Sequence, residues 1–384
     1  MNQAEMQPGK QCYRVDLIAA ARPNFMKVAP VFHALSHEPW CRLRLVHTGQ
    51  HYDASMSEAF FKDLELPEPD VHLGVGSGSH AEQTAQVMLA YERSCVADRP
   101  DLIVVVGDVN STLACALVGA KLHIPVAHLE AGLRSGDREM PEEINRLVTD
   151  AVADILWTPS PDADENLARE GIAADKITRV GNIMIDSYEL MRTRIQASPV
   201  QRQLGIEKKA YGVVTLHRPT NVDYPEILQQ LVEQLMNISG KLPLVFPVHP
   251  RTRKNLVTTG LLKRLSEAPG MQLIEPLGYV DFMNLVCSAR LIITDSGGVQ
   301  EETTYLGIPC LTLRNTTERP ITVSQGTNRL VTAQGLIEAV NGVLSSKVSR
   351  GQKPALWDGR TATRVVEDIK RRLGLSQPKH AALG

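Results

Sequence analysis

No two cysteines in this sequence stand close enough to act as a unit. The six fall singly at Cys12, Cys41, Cys95, Cys115, Cys287 and Cys310, with no C-x-x-C pair. That excludes a zinc knuckle and gives no disulfide framework. Cys115 and Cys310 lie in apolar runs and read as small core residues. No apolar run approaches the ~20 residues of a membrane-spanning helix. The N-terminal "MNQAEMQPGKQ" lacks the apolar region of a signal peptide, so a reducing cytoplasm is the expected location. Charge of one sign is missing too: 41 basic against 43 acidic side chains leave a formal net charge of −2. Composition therefore offers no electrostatic case for a nucleic-acid or membrane partner. G-x-x-x-x-G-K-[ST] is absent, and so is H-E-x-x-H. "HTGQH" pairs His47 with His51 at i and i+4 but brings no carboxylate, so no metal is expected. His33, His37, His72, His123 and His380 read as surface or packing residues.

What is present is a soluble globular composition, 43% hydrophobic and 22% charged, in a chain of 384 residues that fits two domains. Short apolar runs alternate with helical patterns throughout. The first set is "YRVDLIA", "RLRLVHT", "LIVVV", "PVAHL" and "DILWT"; the second is "YGVVTL", "PLVFPV", "MQLI", "LIIT" and "CLTL". Several are apolar on both faces, as in a parallel sheet covered by helices. Strand and helix in alternation predict an α/β doubly wound fold. Within "PEEINRLVTDAVAD", Pro141 suits a first turn, and Ile144, Leu147, Val148, Ala151 and Val152 recur at helical spacing. The pattern weakens after Gly181 and restarts at Tyr211. The expected organisation is a first Rossmann-like domain over 1–181 and a second over 182–358. A helix and tail over 359–384 are expected to pack back on the first domain.

Ligands of open α/β sheets bind beyond the carboxyl ends of the strands. The residues in those places are Asp108, Glu130, His217 with Arg218, His249, and Asp295 followed by Ser296, Gly297 and Gly298. A strand–Ser-Gly-Gly–helix arrangement lets backbone N–H groups approach a diphosphate at a helix N-terminus. Glu302, about one turn later, is placed to accept from ribose hydroxyls. The plainer reading is a tight strand–helix turn with a solvated acidic first turn. Asp108 has an alternative as cap of the helix beginning "NSTLACA", and Glu142 as complement of a helix dipole. Glu130 has no such alternative, since it ends an apolar strand beside Gly132, where burial costs free energy without a partner. "LGVGSGSH" reads as a loop.

Together, "RPNFMKVAP", "GDVNSTLA", "HLEAGLRSGD", "PEEINR", "LHRPTN", "PVHPR", "TDSGGVQEE" and "RNTTERP" resemble the non-hydrolysing UDP-N-acetylglucosamine 2-epimerases, in order from about Arg22 to Arg329. The resemblance implies a GT-B-type fold, two Rossmann-like doubly wound domains facing across a cleft, and a homodimer. The implied reaction inverts C2 of the GlcNAc ring of a UDP-sugar without a cofactor. UDP is eliminated to a 2-acetamidoglucal and added back. The family-level implication is supply of ManNAc-type sugars to surface polysaccharides. Asp108, Glu130 and Glu142 are the implied acid/base carboxylates, in no assigned order, and His217 assists the leaving diphosphate. Arg22 and Lys27 match basic residues near the nucleotide sugar. Ser296, Gly297 and Gly298 match the diphosphate turn, Glu302 the ribose contact, Arg319 a phosphate-binding arginine and Phe282 an aromatic beside uracil. Arg218 and His249 join this substrate-binding set.

Two departures stand out. Asn24 replaces a family glutamate. "QHYD", residues 50–53, replaces a Gln-His-Arg-Gln stretch that helps hold an activating second UDP-GlcNAc. Activation is therefore expected to be absent or altered, and the sugar pocket is open to a modified substrate such as a diacetamido or uronate sugar. A hydrolysing 2-epimerase, a GT-B glycosyltransferase and a non-enzymatic nucleotide-sugar sensor are the competing readings.

Overall fold

A run such as Leu102–Val106, buried at every position, is stable only inside a sheet covered on both faces. The structure, a computed structural model, shows two such sheets and describes residues 12–20, 22–49, 64–345 and 351–375, the side chains of Arg22 and Pro23 excepted. The activation stretch at 50–53 and the end of the tail lie outside the described residues.

The chain divides into two compact units: one runs to Ser187 and resumes at Ala355, and the other is Tyr188–Pro354. The first holds β1 (Tyr13–Ala19), α1 (Arg22–Ser36), β2 (Cys41–His47), β3 (Val71–His72), α2 (His80–Ala97), β4 (Leu102–Val106), α3 (Asn110–Lys121), β5 (Val126–Leu129), α4 (Pro141–Val152), β6 (Ile155–Thr158), α5 (Pro161–Arg169) and β7 (Ile177–Arg179). α6 (Ile183–Ala197) and α7 (Val200–Gln203) follow. The second sheet region holds β8 (Gly212–Thr215), α8 (Pro219–Val222), α9 (Pro225–Ser239), β9 (Leu244–Pro247), α10 (Pro250–Thr258), α11 (Leu261–Ser266), β10 (Met271–Ile274), α12 (Tyr279–Ser288), β11 (Leu291–Thr294), α13 (Gly297–Leu306), β12 (Cys310–Thr312), α14 (Ile321–Ser324), β13 (Asn328–Leu330) and α15 (Leu336–Ser345). α16 (Thr361–Arg372) returns to the first unit.

The sheets are ordered β3-β2-β1-β4-β5-β6-β7 and β10-β9-β8-β11-β12-β13. All described pairings are parallel. In each, strand order reverses beside the first strand of the unit, between β1 and β4 and between β8 and β11, where the crossovers leave a crevice at the carboxyl edge.

All ten apolar runs are strands. Three further strands, β3, β7 and β13, were not legible. They have two or three residues each and lie at or next to a sheet edge, too short for a period-2 pattern to register. The unit boundary does not fall in a loop at Gly181. It falls inside α6, whose first turn is held by the first unit: Ser187 Oγ donates to the Met26 carbonyl, and Asp186 accepts from the N–H groups of Thr361 (3.1 Å) and Ala362 (2.8 Å) at the start of α16.

α4 departs from its pattern. Its buried residues are Glu143, Asn145, Arg146, Thr149 and Asp150, whereas the apolar positions Ile144, Leu147, Val148 and Val152 are only half-buried and Ala151 is exposed. The helix turns its polar face inward because Arg146 pairs there with Glu143 and Asp108, Asn145 with the Asp108 carbonyl, and Asp150 with His128 and Arg134.

Candidate active site

In the first unit the chain leaves β4 through Gly107, at φ +71°, and β5 through Glu130, at φ +73°. The left-handed region is costly for a glutamate, by about 1–2 kcal/mol. The bend is held by the Trp157 carbonyl, which accepts from the N–H groups of both Glu130 and Ala131 at 3.1 Å. Behind it, buried His128 bridges Asp150 (2.6 Å) and the Gly107 carbonyl (2.8 Å), and Asp150 also accepts from Gly132 N (2.9 Å) and pairs with Arg134 (2.7 Å). Burial alone would push the Asp150 carboxyl up. His128, Arg134 and the Gly132 N–H outweigh it and hold the group below its usual value.

Glu130 is 4% exposed, and Lys27 of α1 donates to its Oε2. Its Oε1 is buried and takes no hydrogen bond among the described residues. A buried carboxylate oxygen left this way costs about 1–3 kcal/mol and marks a place where a ligand proton would be welcome. A Cβ on Gly107 would lie 3.3 Å from Lys27 Nζ and 3.5 Å from Glu130 Oε2, so glycine keeps this corner open. Asn24 bridges β1 to β4, accepting from Ala20 N (3.0 Å) and donating to the Val106 carbonyl (2.8 Å). The departure at this position is thus a structural tether at the start of α1.

Asp108 does not cap α3. The cap residue is Val109, without a side-chain bond, and Asp108 instead pairs with Arg146 Nη1 at 2.5 Å. Arg146, 2% exposed, also donates to Glu143 through Nη2 (2.5 Å) and Nε (3.0 Å). Glu143 further accepts from the N–H groups of Ser135 and Gly136. Burial opposes its charge, but these donors and Arg146 keep its carboxyl below the usual range. Asn145 Nδ2 donates to the Asp108 carbonyl at 2.9 Å, fixing the loop. Glu142, half-buried in the first turn of α4, has no hydrogen bond or ion pair among the described residues. Asp108 and Glu130 follow the adjacent strands β4 and β5, one against an arginine and the other against a lysine, and Glu142 opens α4, the helix that carries that arginine, against neither.

In the second unit buried Asp295, at the end of β11, organises the end of β8. It accepts from His217 N (3.0 Å), Arg218 N (2.9 Å) and Asn221 Nδ2 (3.1 Å), and pairs with His217 Nδ1 at 2.8 Å. Burial would raise the Asp295 carboxyl; the His217 and backbone contacts outweigh it and lower it. His217 is 41% exposed, so with Nδ1 fixed its Nε2 is the nitrogen open to chemistry. His249 caps α10, accepting from Arg251 N, and its ring lies 5.7 Å from that of His217. Burial, then the neighbouring His217, pushes its imidazole below the ordinary value. Arg218 Nε donates to the Asp295 carbonyl at 2.9 Å.

Ser296 is the cap residue of α13, and its hydroxyl makes no capping bond. A Cβ on Gly297 would come within 2.7 Å of Glu318 Oε1 and 2.8 Å of Arg319 Nη1, so any larger residue would have to displace those side chains. Arg319 is clamped by Glu301 (2.8 Å to Nε) and Glu318, and Glu318 is held in turn by Arg314 at 2.7 Å. Burial opposes the Glu318 charge, but Arg319 and Arg314 carry its carboxyl far below the usual range. The acids after the turn are not a solvated face, since Glu301 and Glu302 are 1% and 3% exposed. Tyr279 OH donates to Glu302 Oε1 at 2.8 Å. Burial pushes the Glu302 carboxyl up to about 8; the Tyr279 bond works against this and the Glu301 charge with it. Phe282 is half-buried on α12. The side chain of Arg22 lies outside the described residues.

Arg146, Glu301, Glu318 and Tyr279 escaped the sequence reading, although each sits inside or beside a motif; Asp295 was placed at its strand end, but its hold on His217 was not legible. A buried partner leaves no periodicity signal of its own. No group of metal-ligating side chains is found among the described residues. Nor is any helix among them long and apolar enough to cross a membrane.

The sequence model of UDP-N-acetylglucosamine 2-epimerase matches residues 33–370. A UDP-N-acetylglucosamine 2-epimerase of Methanocaldococcus jannaschii is 41% identical over 364 residues, 92% of this chain and 98% of that protein. A UDP-2,3-diacetamido-2,3-dideoxy-D-glucuronate 2-epimerase of Pseudomonas aeruginosa is 42% identical over 360 residues, 92% and 98% of the two chains. The crystal structure of the M. jannaschii enzyme in complex with UDP-GlcNAc and UDP matches with a TM-score of 0.85 at 40% identity, covering 93% of this chain and 99% of that one. The GT-B-type α/β class expected from the sequence is that of these relatives.

Proposed function

The chain belongs to the UDP-N-acetylglucosamine 2-epimerase family, and from that premise we propose that it interconverts UDP-N-acetylglucosamine and UDP-N-acetylmannosamine. The C2 proton of the sugar has no adjacent carbonyl to acidify it, so inversion is best served by elimination. A carboxylate takes the C2 proton, electrons form the C1–C2 double bond, and the C1–O bond breaks to release UDP. UDP then adds back at C1 while C2 receives a proton on the opposite face. The first step needs a general base and a firm hold on the leaving diphosphate, and the second a general acid on the opposite face of C2.

The observation that carries this reading is the orientation of His217 by buried Asp295, beside the Ser296-Gly297-Gly298 turn and Arg319. Nε2 of His217 is free to exchange a proton with the leaving diphosphate, while backbone N–H groups and the guanidinium take its charge. Asp108, Glu130 and Glu142 serve the C2 proton. Lys27 and Arg146 fix two of them, and the uncommitted Oε1 of Glu130 and the unpaired Glu142 are the groups best free to move a proton. Arg218 and His249 complete the polar surroundings, Phe282 stacks on the uracil and Glu302 meets the ribose.

Proton NMR of UDP-GlcNAc with the purified protein in D₂O tests this. UDP-ManNAc carrying deuterium at C2 is expected. Free ManNAc with UDP would replace the reading by a hydrolysing enzyme. A second substrate is favoured by the P. aeruginosa relative: UDP-2,3-diacetamido-2,3-dideoxy-D-glucuronate, whose C2 chemistry is the same. Running both sugars in parallel separates them by kcat/KM. The homodimer implied by the family agrees with the half-buried apolar stripe of α4 and with Leu89 and Val96 of α2, 56% and 73% exposed. Sedimentation at several concentrations checks it.

A further inference from the structure

A carboxyl group that is to recognise a sugar diol must hold its plane fixed, since a free rotor loses the two-point geometry that distinguishes a ribose from its deoxy forms. Glu302 has no cation against it. Its one bond from the described residues comes from Tyr279, whose phenol donates to Oε1 at 2.8 Å, and Oε2 takes none. Tyr279 is the first residue of α12, and Phe282 lies three residues on, one turn along the same helix face. α12 packs on α13, the helix that starts at the Ser-Gly-Gly turn and carries Glu302. One short helix thus carries both an aromatic for the base and the phenol that fixes the acid for the sugar.

We propose that Tyr279 is a positioning residue for nucleotide selection. By pinning Oε1 of Glu302 it turns Oε2 toward the ribose hydroxyls, and so sets the preference for a uridine ribonucleotide over its deoxy analogues. This rests on the reading of Tyr188–Pro354 as the UDP-binding unit. Tyr279 itself touches no phosphate and no reacting carbon; it acts through Glu302. The surroundings suit the task. Tyr188 OH and Cys287 Sγ lie 3.6 Å apart and both act on the Tyr279 phenol, and Tyr279 is the sole donor to Glu302 among the described residues.

The test is calorimetric titration of the full-length protein with UDP and with 2′,3′-dideoxy-UDP. Wild type is expected to prefer UDP by about tenfold or more. In Tyr279→Phe, which keeps the ring and removes the donor, UDP binding should weaken by about five- to tenfold. Dideoxy-UDP binding should change by less than about twofold, so the preference shrinks. Glu302→Gln should shrink it as well, and the double variant should lose little more than either single one, as expected for residues acting as one unit. Equal weakening of both ligands in Tyr279→Phe would show a merely structural phenol and overturn the proposal, as would an unchanged preference. Failure of wild type to bind UDP at all would overturn the nucleotide reading first, and is seen before any variant is made.

Discussion

Two carboxylates at opposite electrostatic extremes illustrate how environment assigns roles. Asp295 is buried yet kept charged by His217 and by the N–H groups of residues 217 and 218. Its work is orientation: it fixes Nδ1 of His217 and leaves Nε2 as the open nitrogen. Asp295→Asn would leave the shape and offer His217 the wrong tautomer. We expect kcat to fall by about a hundredfold or more while the Kd for UDP moves less than about threefold, read by steady-state kinetics and calorimetry. Glu302 is buried with no cation, and its carboxyl rises from 4.5 to about 8. The folded state therefore keeps a proton that the unfolded chain gives up. The associated stability is complete below the unfolded value and is lost as pH climbs toward about 8. Glu302→Gln removes that dependence. Its Tm relative to wild type should rise steadily between about pH 5 and pH 8.5, and a flat difference would refute the buried-acid assignment.

The candidate site is built from the ends of elements, and each end depends on something outside it. The N-terminus of α13 is open to an anion because Gly297 has no Cβ in the way of Glu318 and Arg319. Gly297→Ala should push Arg319 aside. A loss of about tenfold or more in UDP affinity is expected, with a smaller cost in thermal stability. α16 is capped from another helix, by the Asp186 carboxylate. Asp186→Ala should cost about 1–2 kcal/mol in a denaturant melt, the size of a lost cap, without changing nucleotide affinity. In α4 periodicity identified the helix but not its buried side, since the periodic apolar stripe is the less buried one. The buried face is fixed by Arg146 and Asp150, whose partners, Asp108 and His128, come from other parts of the chain.

For the whole molecule, the first unit is assembled from two separate stretches of chain. The chain builds the first sheet, builds the second unit, then returns with Trp357 and α16. Trp357 Nε1 donates to the Pro159 carbonyl (3.0 Å), and Trp157 Nε1 to Asp368 (2.8 Å). Val365, Val366 and Ile369 are buried on return, and α16 packs against α1. Deleting residues 355–384 should remove several buried side chains at about 2–5 kcal/mol each, enough to exhaust the margin of a domain. Hydrogen exchange should then show protection lost in β1, β4 and β6 and kept in β8 and β11.

The sequence by itself determined the two-sheet α/β class, every strand long enough to carry a pattern, and the loops at strand ends where the titratable residues collect. These are local properties: apolar runs and turn residues act on their immediate neighbours. It did not determine which charge stands against which. That Asp108 meets Arg146 rather than capping a helix, that Glu130 meets Lys27, and that Glu302 is buried on a tyrosine were decided only in three dimensions. Each partner comes from a separate stretch of chain, and the strength of each contact depends on burial, which no local pattern records.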